Sequence, residues 1–281
     1  MRVMVTGARG MLGSDLCEVL ARDHTVAAVD VEDLDITQPA PTRAAVAAAA
    51  PELVVHCAAW TDVDGCERDP ERAFRVNTTG TWNVAAAAAE VDAGLVYVST
   101  DFVFDGDKSE PYTEFDAPNP LGVYGASKLA GEEAVRRLVA RHWVVRTAWL
   151  FGARGRNFVA TILGVAAERE EVRVVADQFG SPTYTRDLAA ALAQYTVAGR
   201  AVPGTYHIAN SGVCSWADLA EEAIRQRGLS ARVVRIPARE WPSPTRRPPH
   251  SALRSRWLEL QGLAPLRDWK EALADYLKET G

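Results

Sequence analysis

The chain begins MRVMVTGARGMLG, residues 1–13. A short β-favouring run, Val3–Thr6, leads into a turn with three glycines, Gly7, Gly10 and Gly13, and a helix-like segment follows. A dinucleotide-binding turn needs small residues where the chain reverses, where the backbone meets a pyrophosphate, and where the helix packs on the strand. The spacing GxxGxxG meets these needs. Such a turn is weak by itself, so the rest of the chain has to supply the matching sheet.

Short β-branched runs and longer helix-like segments alternate along the first half of the chain. The predicted strands are Val3–Thr6, Val26–Asp30, Leu53–Cys57, Leu95–Ser99 and Trp143–Thr147. The predicted helices are Leu12–Arg22, Pro41–Ala50, Glu71–Val91 and Ser127–Arg141. The strands are nearly continuous in apolar residues, which is typical of parallel strands covered on both faces. We therefore predict an α/β fold with a Rossmann-like, doubly wound parallel sheet.

The regular alternation loosens after Thr147. Three further strands are predicted at Val172–Val175, Tyr206–Ile208 and Arg232–Ile236, and two closing helices at Trp257–Leu260 and Trp269–Lys278. The stretch Pro237–Pro249 holds five prolines and is expected to be extended or turning. We predict a dinucleotide-binding domain over residues 1–150, to which the chain returns around 181–212. Residues 151–281 would form most of a smaller C-terminal α/β substrate domain.

Composition argues against several other classes of protein. The 281 residues carry 31 Lys+Arg and 37 Asp+Glu, a formal charge of −6, which disfavours a nucleic-acid binder. Apolar stretches are short and alanine-rich, so no membrane segment is expected, and the N-terminus leaves no room for a signal peptide. The four cysteines are scattered without a CxxC pattern, which favours reduced thiols, no metal site and a cytoplasmic protein.

An acidic residue supports the dinucleotide interpretation. Asp30 ends the second predicted strand, 20 residues after Gly10. A carboxylate at this position accepts hydrogen bonds from an adenosine ribose and favours NAD over NADP. Arg9 lies inside the glycine turn and could contact a 2′-phosphate instead. Both NADH and NADPH therefore remain open as cofactors.

A tyrosine and a lysine follow the fourth predicted strand. Tyr124 and Lys128 are four residues apart, so they would lie on one face of a helix that starts there. The lysine ammonium is expected to lower the pKa of the tyrosine, which then exchanges a proton with a substrate oxygen. The strand before them ends in Ser99 and Thr100, and Thr100 is the preferred candidate to donate a hydrogen bond to a carbonyl. These residues predict carbonyl reduction.

The segments around these residues resemble the extended short-chain dehydrogenase/reductase superfamily and, more narrowly, the dTDP-4-dehydrorhamnose reductase family. The resemblance covers nearly the whole chain, and its most specific parts contain AAWTDVDGCE and STDFVFDG. The matching segments are the glycine turn, Cys57–Asp64 with Glu67, Val76–Gly80, Ser99–Gly106, Tyr124–Lys128 with Gly131 and Glu132, Arg146–Gly152, Gly180–Thr183 and Arg246–Leu253. The resemblance implies reduction of the C4 ketone of dTDP-4-dehydro-β-L-rhamnose to dTDP-β-L-rhamnose, with NADPH or NADH as the reductant.

The resemblance also implies roles for individual residues. Those implied to hold the cofactor are Gly7, Arg9, Gly10, Met11, Leu12 and Gly13 at the pyrophosphate turn, Asp30 at the ribose, Asp35 and Ile36 near the adenine, Ala58, Ala59 and Trp60 beside the nicotinamide, and Tyr124 with Lys128 at the nicotinamide ribose. Those implied to act in catalysis are Thr100, Tyr124 and Lys128. Those implied to touch the dTDP-sugar are Thr100, Asp101, Tyr124, Trp149 and Arg247, whose guanidinium suits a diphosphate.

Departures from the family pattern leave alternatives open. Trp60 stands where the family often has tyrosine or histidine. Asp15 stands where some members use glutamate to bind magnesium at a dimer contact, so no metal is predicted and the protein is either a monomer or a homodimer. Phe102 follows Asp101 where sugar-nucleotide 4,6-dehydratases need a glutamate, which disfavours elimination. Epimerases, reductases of a related dTDP-4-ketodeoxysugar, and the non-catalytic regulatory subunit of methionine adenosyltransferase remain alternatives.

Overall fold

The computed structural model describes all residues from Met1 to Gly281. Its strands are β1 Arg2–Thr6, β2 Thr25–Val29, β3 Leu53–His56, β4 Gly94–Thr100, β5 His142–Thr147, β6 Leu150–Phe151, β7 Glu171–Val175, β8 Phe179–Gly180, β9 Thr183–Tyr184, β10 Gly204–His207, β11 Cys214–Ser215 and β12 Arg232–Ile236. Its helices are α1 Met11–Leu20, α2 Pro39–Ala49, α3 Val63–Arg68, α4 Pro70–Phe74, α5 Thr81–Glu90, α6 Val123–Leu138, α7 Phe158–Glu168, α8 Thr185–Leu192, α9 Trp216–Arg227, α10 Arg256–Leu260 and α11 Trp269–Glu279.

The main sheet has six parallel strands in the order β10-β5-β4-β3-β1-β2. Side chains alternate between its two faces. Val3 and Val5 pack under α1 and α8, whereas Met4 packs on the other face with residues of α2, α5 and α6. Both faces of the sheet are thus covered by helices, and the predicted doubly wound α/β fold is confirmed. No helix combines the length and apolar character needed to cross a membrane.

The predicted long helix Glu71–Val91 is interrupted. Helices α4 and α5 flank a π-helical turn over Arg75–Gly80. The hydroxyl of Thr81, the first residue of α5, donates to the carbonyl of Asn77 in this turn at 2.7 Å. π-turns of this kind are frequent at functional sites because they redirect a side chain. The turn carries Asn77, whose side chain is fully buried.

The C-terminal part of the chain packs helices α7, α9 and α11 around the small parallel pair β7–β12. The proline-rich stretch contains a single 3₁₀ turn, Ala238–Glu240. It then leads to the tract 243–253, which runs back to the first part of the chain. Leu253 bridges to Tyr112, and the hydroxyls of Ser243 and Thr245 donate to the carboxylate of Asp64. This tract and the carboxyl edge of the main sheet therefore enclose one cleft.

Candidate active site

The glycines of the turn after β1 let neighbouring backbone segments pack closely. Gly7 has φ +68°, and a Cβ there would lie 2.7 Å from the amide nitrogen of Ala58. A Cβ on Gly13 would lie 2.0 Å from the carbonyl oxygen of Gly7. Helix α1 begins after Gly10 with no side-chain cap and no acidic residue in its first turn. Its free N–H groups and positive dipole end therefore fit an anion such as a pyrophosphate.

The predicted cofactor residues on the other loops lie along the same edge. Asp30 accepts hydrogen bonds from the backbone N–H groups of Arg9 and Val31, both at 2.7 Å. Asp35 is exposed and accepts from the backbone and hydroxyl of Thr37, which lower the pKa of its carboxyl. Ile36 is buried, and its side chain lies against Gly80.

The candidate nicotinamide side connects the glycine turn to the tyrosine. The backbone of Ala58 packs on Gly7, and Trp60 packs on the cluster that contains Tyr124. The buried amide of Asn77 accepts from the backbone N–H of Trp60 at 2.8 Å and donates to the hydroxyl of Ser127 at 3.0 Å. The π-turn thus ties the Ala58–Trp60 segment to α6.

The three predicted catalytic residues come together at the carboxyl end of β4. Thr100 is the last residue of β4, and Tyr124 is the second residue of α6. The two hydroxyl groups are neighbours, and that of Thr100 donates its hydrogen bond to Asp101 at 3.1 Å. Lys128 lies one helical turn further along, and its ammonium donates to the carbonyl of Val98 at 2.7 Å. Ser99 points elsewhere, since its hydroxyl donates to the buried Glu132.

The expectation that Lys128 lowers the pKa of Tyr124 is wrong. Burial raises the pKa of Tyr124, and the nearby carboxylate of Asp101 adds to the rise. Lys128 does not oppose this rise, because its ammonium is directed at Val98 and lies 4.2 Å from the ring centroid of Tyr97. Burial instead lowers the pKa of Lys128 to about 7. Tyr124 is therefore a protonated phenol in this structure.

Asp101 follows Thr100 directly and is buried, and its predicted contact with the sugar nucleotide stays a prediction. It is only 2% exposed. Its Oδ1 accepts from the hydroxyl of Thr100 at 3.1 Å, and its Oδ2 accepts from the hydroxyl of Ser251 at 2.5 Å. Burial raises the pKa of Asp101 to about 6. The tract 243–253 is thereby joined, through one carboxyl group, to the catalytic threonine.

This carboxyl group makes a testable contribution to stability. Its pKa is 3.8 when unperturbed and about 6 in the fold. The native state is therefore favoured while Asp101 is protonated, and this advantage is lost as the pH rises through about 6. Relative to wild type, Asp101→Asn is expected to gain roughly 1–2 kcal/mol in the free energy of unfolding between about pH 5 and about pH 7.5. Urea unfolding of both proteins measures it, and a difference that does not change with pH would contradict it.

The candidate substrate residues line a narrow cleft next to the tyrosine. Trp149 and Arg247 share it with Phe102, Gln178 and Trp216. The indole of Trp149 stacks on that of Trp216 with 3.5 Å between ring centroids. The backbone of Trp149 has φ +48°, a conformation that costs free energy in a non-glycine residue and is concentrated at functional sites.

Three polar residues of the site were recognised only as parts of motifs. Asp64 accepts from Arg247 at 3.2 Å, in addition to its bonds with the tract 243–253. Glu67 accepts from the backbone N–H of Val123 at 2.7 Å, so it caps the helix that carries Tyr124. Asn77 holds the nicotinamide-side loop as described above. Their partners lie 17 to 183 residues away in sequence, so no local pattern could assign their roles.

Comparisons with known proteins agree with this geometry. A family model described as "RmlD substrate binding domain" matches residues 1–281. A dTDP-4-dehydrorhamnose reductase of Mycolicibacterium smegmatis is 45% identical over 98% of this chain and 84% of its own. A protein of Streptomyces antibioticus named "Probable dTDP-4,6-dihydroxy-2-methyloxan-3-one 4-ketoreductase" is 41% identical over 98% of this chain and 94% of its own.

A solved structure extends the comparison to the fold. The dTDP-4-dehydrorhamnose reductase of Bacillus anthracis, crystallised in complex with NADP, superposes with a TM-score of 0.96. It is 40% identical to this chain, and the match covers 99% of both chains. The fold and the length of this chain are thus those of a relative that holds a nicotinamide dinucleotide.

Proposed function

We infer the activity from the premise that this chain belongs to the dTDP-4-dehydrorhamnose reductase family. It is an NAD(P)H-dependent oxidoreductase that reduces the C4 ketone of dTDP-4-dehydro-β-L-rhamnose to dTDP-β-L-rhamnose. The observation that carries this conclusion is the meeting of Thr100, Tyr124 and Lys128 at the same sheet edge as the glycine turn. A ligand at that edge would lie between a dinucleotide site and a proton donor.

The residues that would hold the cofactor follow the edge of the sheet. Gly10, Met11 and Leu12 would lie along the pyrophosphate at the free N–H groups of the helix N-terminus, and Asp30 would accept from the adenosine ribose. Lys128 would exchange its bond with the Val98 carbonyl for the nicotinamide ribose. When bound, a reduced nicotinamide supplies a hydride to C4, and the ketone becomes an alkoxide that requires one proton.

Tyr124 would supply this proton to the C4 oxygen. Its raised pKa suits the task, because a reduction starts from the protonated phenol. Thr100 would assist by directing its hydroxyl at the same oxygen, which requires it to leave Asp101. Phe102 packs edge-on against the Tyr124 ring with 5.6 Å between centroids and helps to hold the phenol in place.

Arg247 would bind the diphosphate of the sugar nucleotide. It is only one-third exposed, and its partner Asp64 is also held by Ser243 and Thr245, so Asp64 keeps partners when Arg247 turns to a phosphate. A guanidinium–phosphate contact is a charge-assisted pair of hydrogen bonds. The stacked indole of Trp149 would form an apolar wall for the sugar or the base.

Arg247→Ala is expected to raise KM for the sugar nucleotide between about tenfold and a hundredfold, because the lost hydrogen bonds to charge are worth about 1.5–3 kcal/mol. The KM for the cofactor should stay within about twofold, since the two sites are separate. Steady-state kinetics with each substrate varied in turn measures both effects. Arg246→Ala removes the same charge from an exposed neighbour and serves as the matched control. An equal effect of both substitutions would argue against a specific diphosphate contact.

A second candidate is reduction of a related dTDP-4-ketodeoxysugar of secondary metabolism. The 41% identity to the Streptomyces antibioticus 4-ketoreductase favours it. The chemistry at Thr100, Tyr124 and Lys128 would be the same, and only the hydroxyl pattern of the sugar would differ.

The deciding experiment follows the absorbance of reduced nicotinamide with the purified protein and dTDP-4-dehydro-β-L-rhamnose. NADH and NADPH are compared in parallel, and the product is identified by mass and NMR. Stoichiometric oxidation with dTDP-L-rhamnose as product is the expected result. Cofactor binding without oxidation would contradict the assignment. The related ketosugar would then be tested, followed by binding to a methionine adenosyltransferase as the non-catalytic alternative.

Expectations about location, partners and domain division stay predictions. The cytoplasmic location accords with four cysteines that are all free thiols in this structure. The absence of nucleic-acid binding accords with the acidic composition. The expected monomer or homodimer also stays a prediction. The division of the chain at residue 150 likewise stays a prediction, although β10 comes from residues 204–207, inside the stretch expected to return to the first domain.

A further inference from the structure

The loop after β2 carries an acidic cluster. Asp30, Glu32 and Asp33 stand within four residues, and the last two contact the guanidinium of Arg9. This cluster lies where the adenosine ribose would sit, because Asp30 is the ribose acceptor of the proposed cofactor site. The 2′-substituent of that ribose is the only difference between NADH and NADPH.

Both the backbone N–H and the guanidinium of Arg9 are hydrogen-bonded to carboxylates. Its backbone N–H donates to Oδ2 of Asp30 at 2.7 Å. Its guanidinium donates through Nη1 to Glu32 at 2.6 Å and through Nη2 to Asp33 at 3.0 Å. The carboxylate of Asp33 is held in place by the loop backbone, because its Oδ2 accepts from the N–H of Asp30 at 2.9 Å. The two carboxylates thus form a fork that holds Arg9 on the loop.

We propose that Glu32 and Asp33 determine the cofactor preference of this protein by holding Arg9 away from a 2′-phosphate, so that the protein prefers NADH to NADPH. The inference rests on the cofactor site of the proposed function and deepens it. A 2′-phosphate carries a charge of about −1.5 to −2, as a phosphomonoester does near neutral pH. It would meet three carboxylates, and the guanidinium of Arg9 beside them is already engaged by two of them. A ribose hydroxyl would instead find the free lone pairs of Asp30.

A second arginine, Arg154, is an alternative partner for the 2′-phosphate. Arg154 lines the same hollow as Arg9 and Asp33, and its contact with Glu18 is long, at 4.0 Å. If Arg154 rather than Arg9 received the 2′-phosphate, releasing Arg9 would change nothing. The test therefore needs both arginines.

The experiment measures dissociation constants of NADPH and NADH by isothermal titration calorimetry, without any ketosugar. Wild type is expected to bind NADH more tightly. Glu32→Gln with Asp33→Asn removes both charges, while the amide that replaces the Asp33 carboxylate keeps an acceptor oxygen for the Asp30 N–H. This double variant should bind NADPH about tenfold more tightly and NADH within about twofold of wild type, since two exposed ion pairs no longer compete for Arg9.

Adding Arg9→Ala to the double variant should abolish the gain in NADPH affinity, whereas adding Arg154→Ala should preserve it. The proposal is overturned if wild type binds NADPH at least as tightly as NADH, if the double variant keeps the wild-type ratio, or if the gain survives Arg9→Ala. Because binding is measured without turnover, a failure of ketosugar reduction leaves this result intact. A failure of the affinity pattern likewise leaves the reductase assignment intact.

Discussion

Tyr124→Phe is expected to lower kcat for the ketosugar by roughly a hundredfold to ten-thousandfold, the range that a positioned proton donor contributes. The substitution removes the phenolic hydroxyl beside Thr100 and leaves the ring against Phe102. Cofactor affinity should stay within about twofold of wild type, because the lost group acts on the substrate oxygen. Single-turnover oxidation of the reduced cofactor gives the rate, and calorimetry gives the affinity.

The matched control for this variant is Tyr195→Phe. Tyr195 is also buried, and its hydroxyl donates to the carbonyl of Ala264 at 2.6 Å, in a part of the core away from the cleft. It should lose stability but keep a kcat close to that of wild type. Retention of the full kcat by Tyr124→Phe would show that another group delivers the proton. In that case Thr100 would be the next candidate, because its hydroxyl is a neighbour of the phenol.

Glu132→Ala is expected to cost about 3–5 kcal/mol of unfolding free energy and to lower Tm by on the order of 10 °C. Glu132 is fully buried in α6, one turn beyond Lys128. Its carboxylate accepts from Ser99, from both Nε and Nη2 of Arg146, and from Arg136. Burial alone would raise the pKa of Glu132, but the bonds with Arg146 hold it below its usual value, so the group is ionised. Its removal leaves the guanidinium of Arg146 buried without a partner.

The neighbouring Glu133 offers a control of the same residue type on the same helix. It is half-exposed and paired only with Arg136 at 2.8 Å. Glu133→Ala should therefore cost less than about 1 kcal/mol. Thermal unfolding of the two variants and wild type measures the difference. Equal Tm values for the two variants would mean that the buried network contributes nothing beyond a surface ion pair.

Local patterns predicted most of the scaffold because the hydrophobic period and the turn residues act over short distances. The strands β1, β3, β4 and β5 fall within one or two residues of their predicted bounds, and β12 matches at Arg232–Ile236. Helix α6 starts four residues before the predicted start, at Val123, and so includes Tyr124. That earlier start depends on Glu67, which accepts from the first N–H of the helix across 56 residues of sequence.

The sequence by itself determined the class of fold, the glycine turn and the pairing of Tyr124 with Lys128, since each depends on residues close together in the chain. Only the tertiary structure decided which charges those residues meet. Burial and the neighbouring Asp101 raise the pKa of Tyr124, and the Val98 carbonyl rather than the phenol receives the Lys128 ammonium. Similarly, Glu32 and Asp33 reach Arg9 only because β1 and β2 are adjacent in the sheet. Electrostatic energies depend on distance in space and on exclusion of water, and neither can be computed from spacing along a chain.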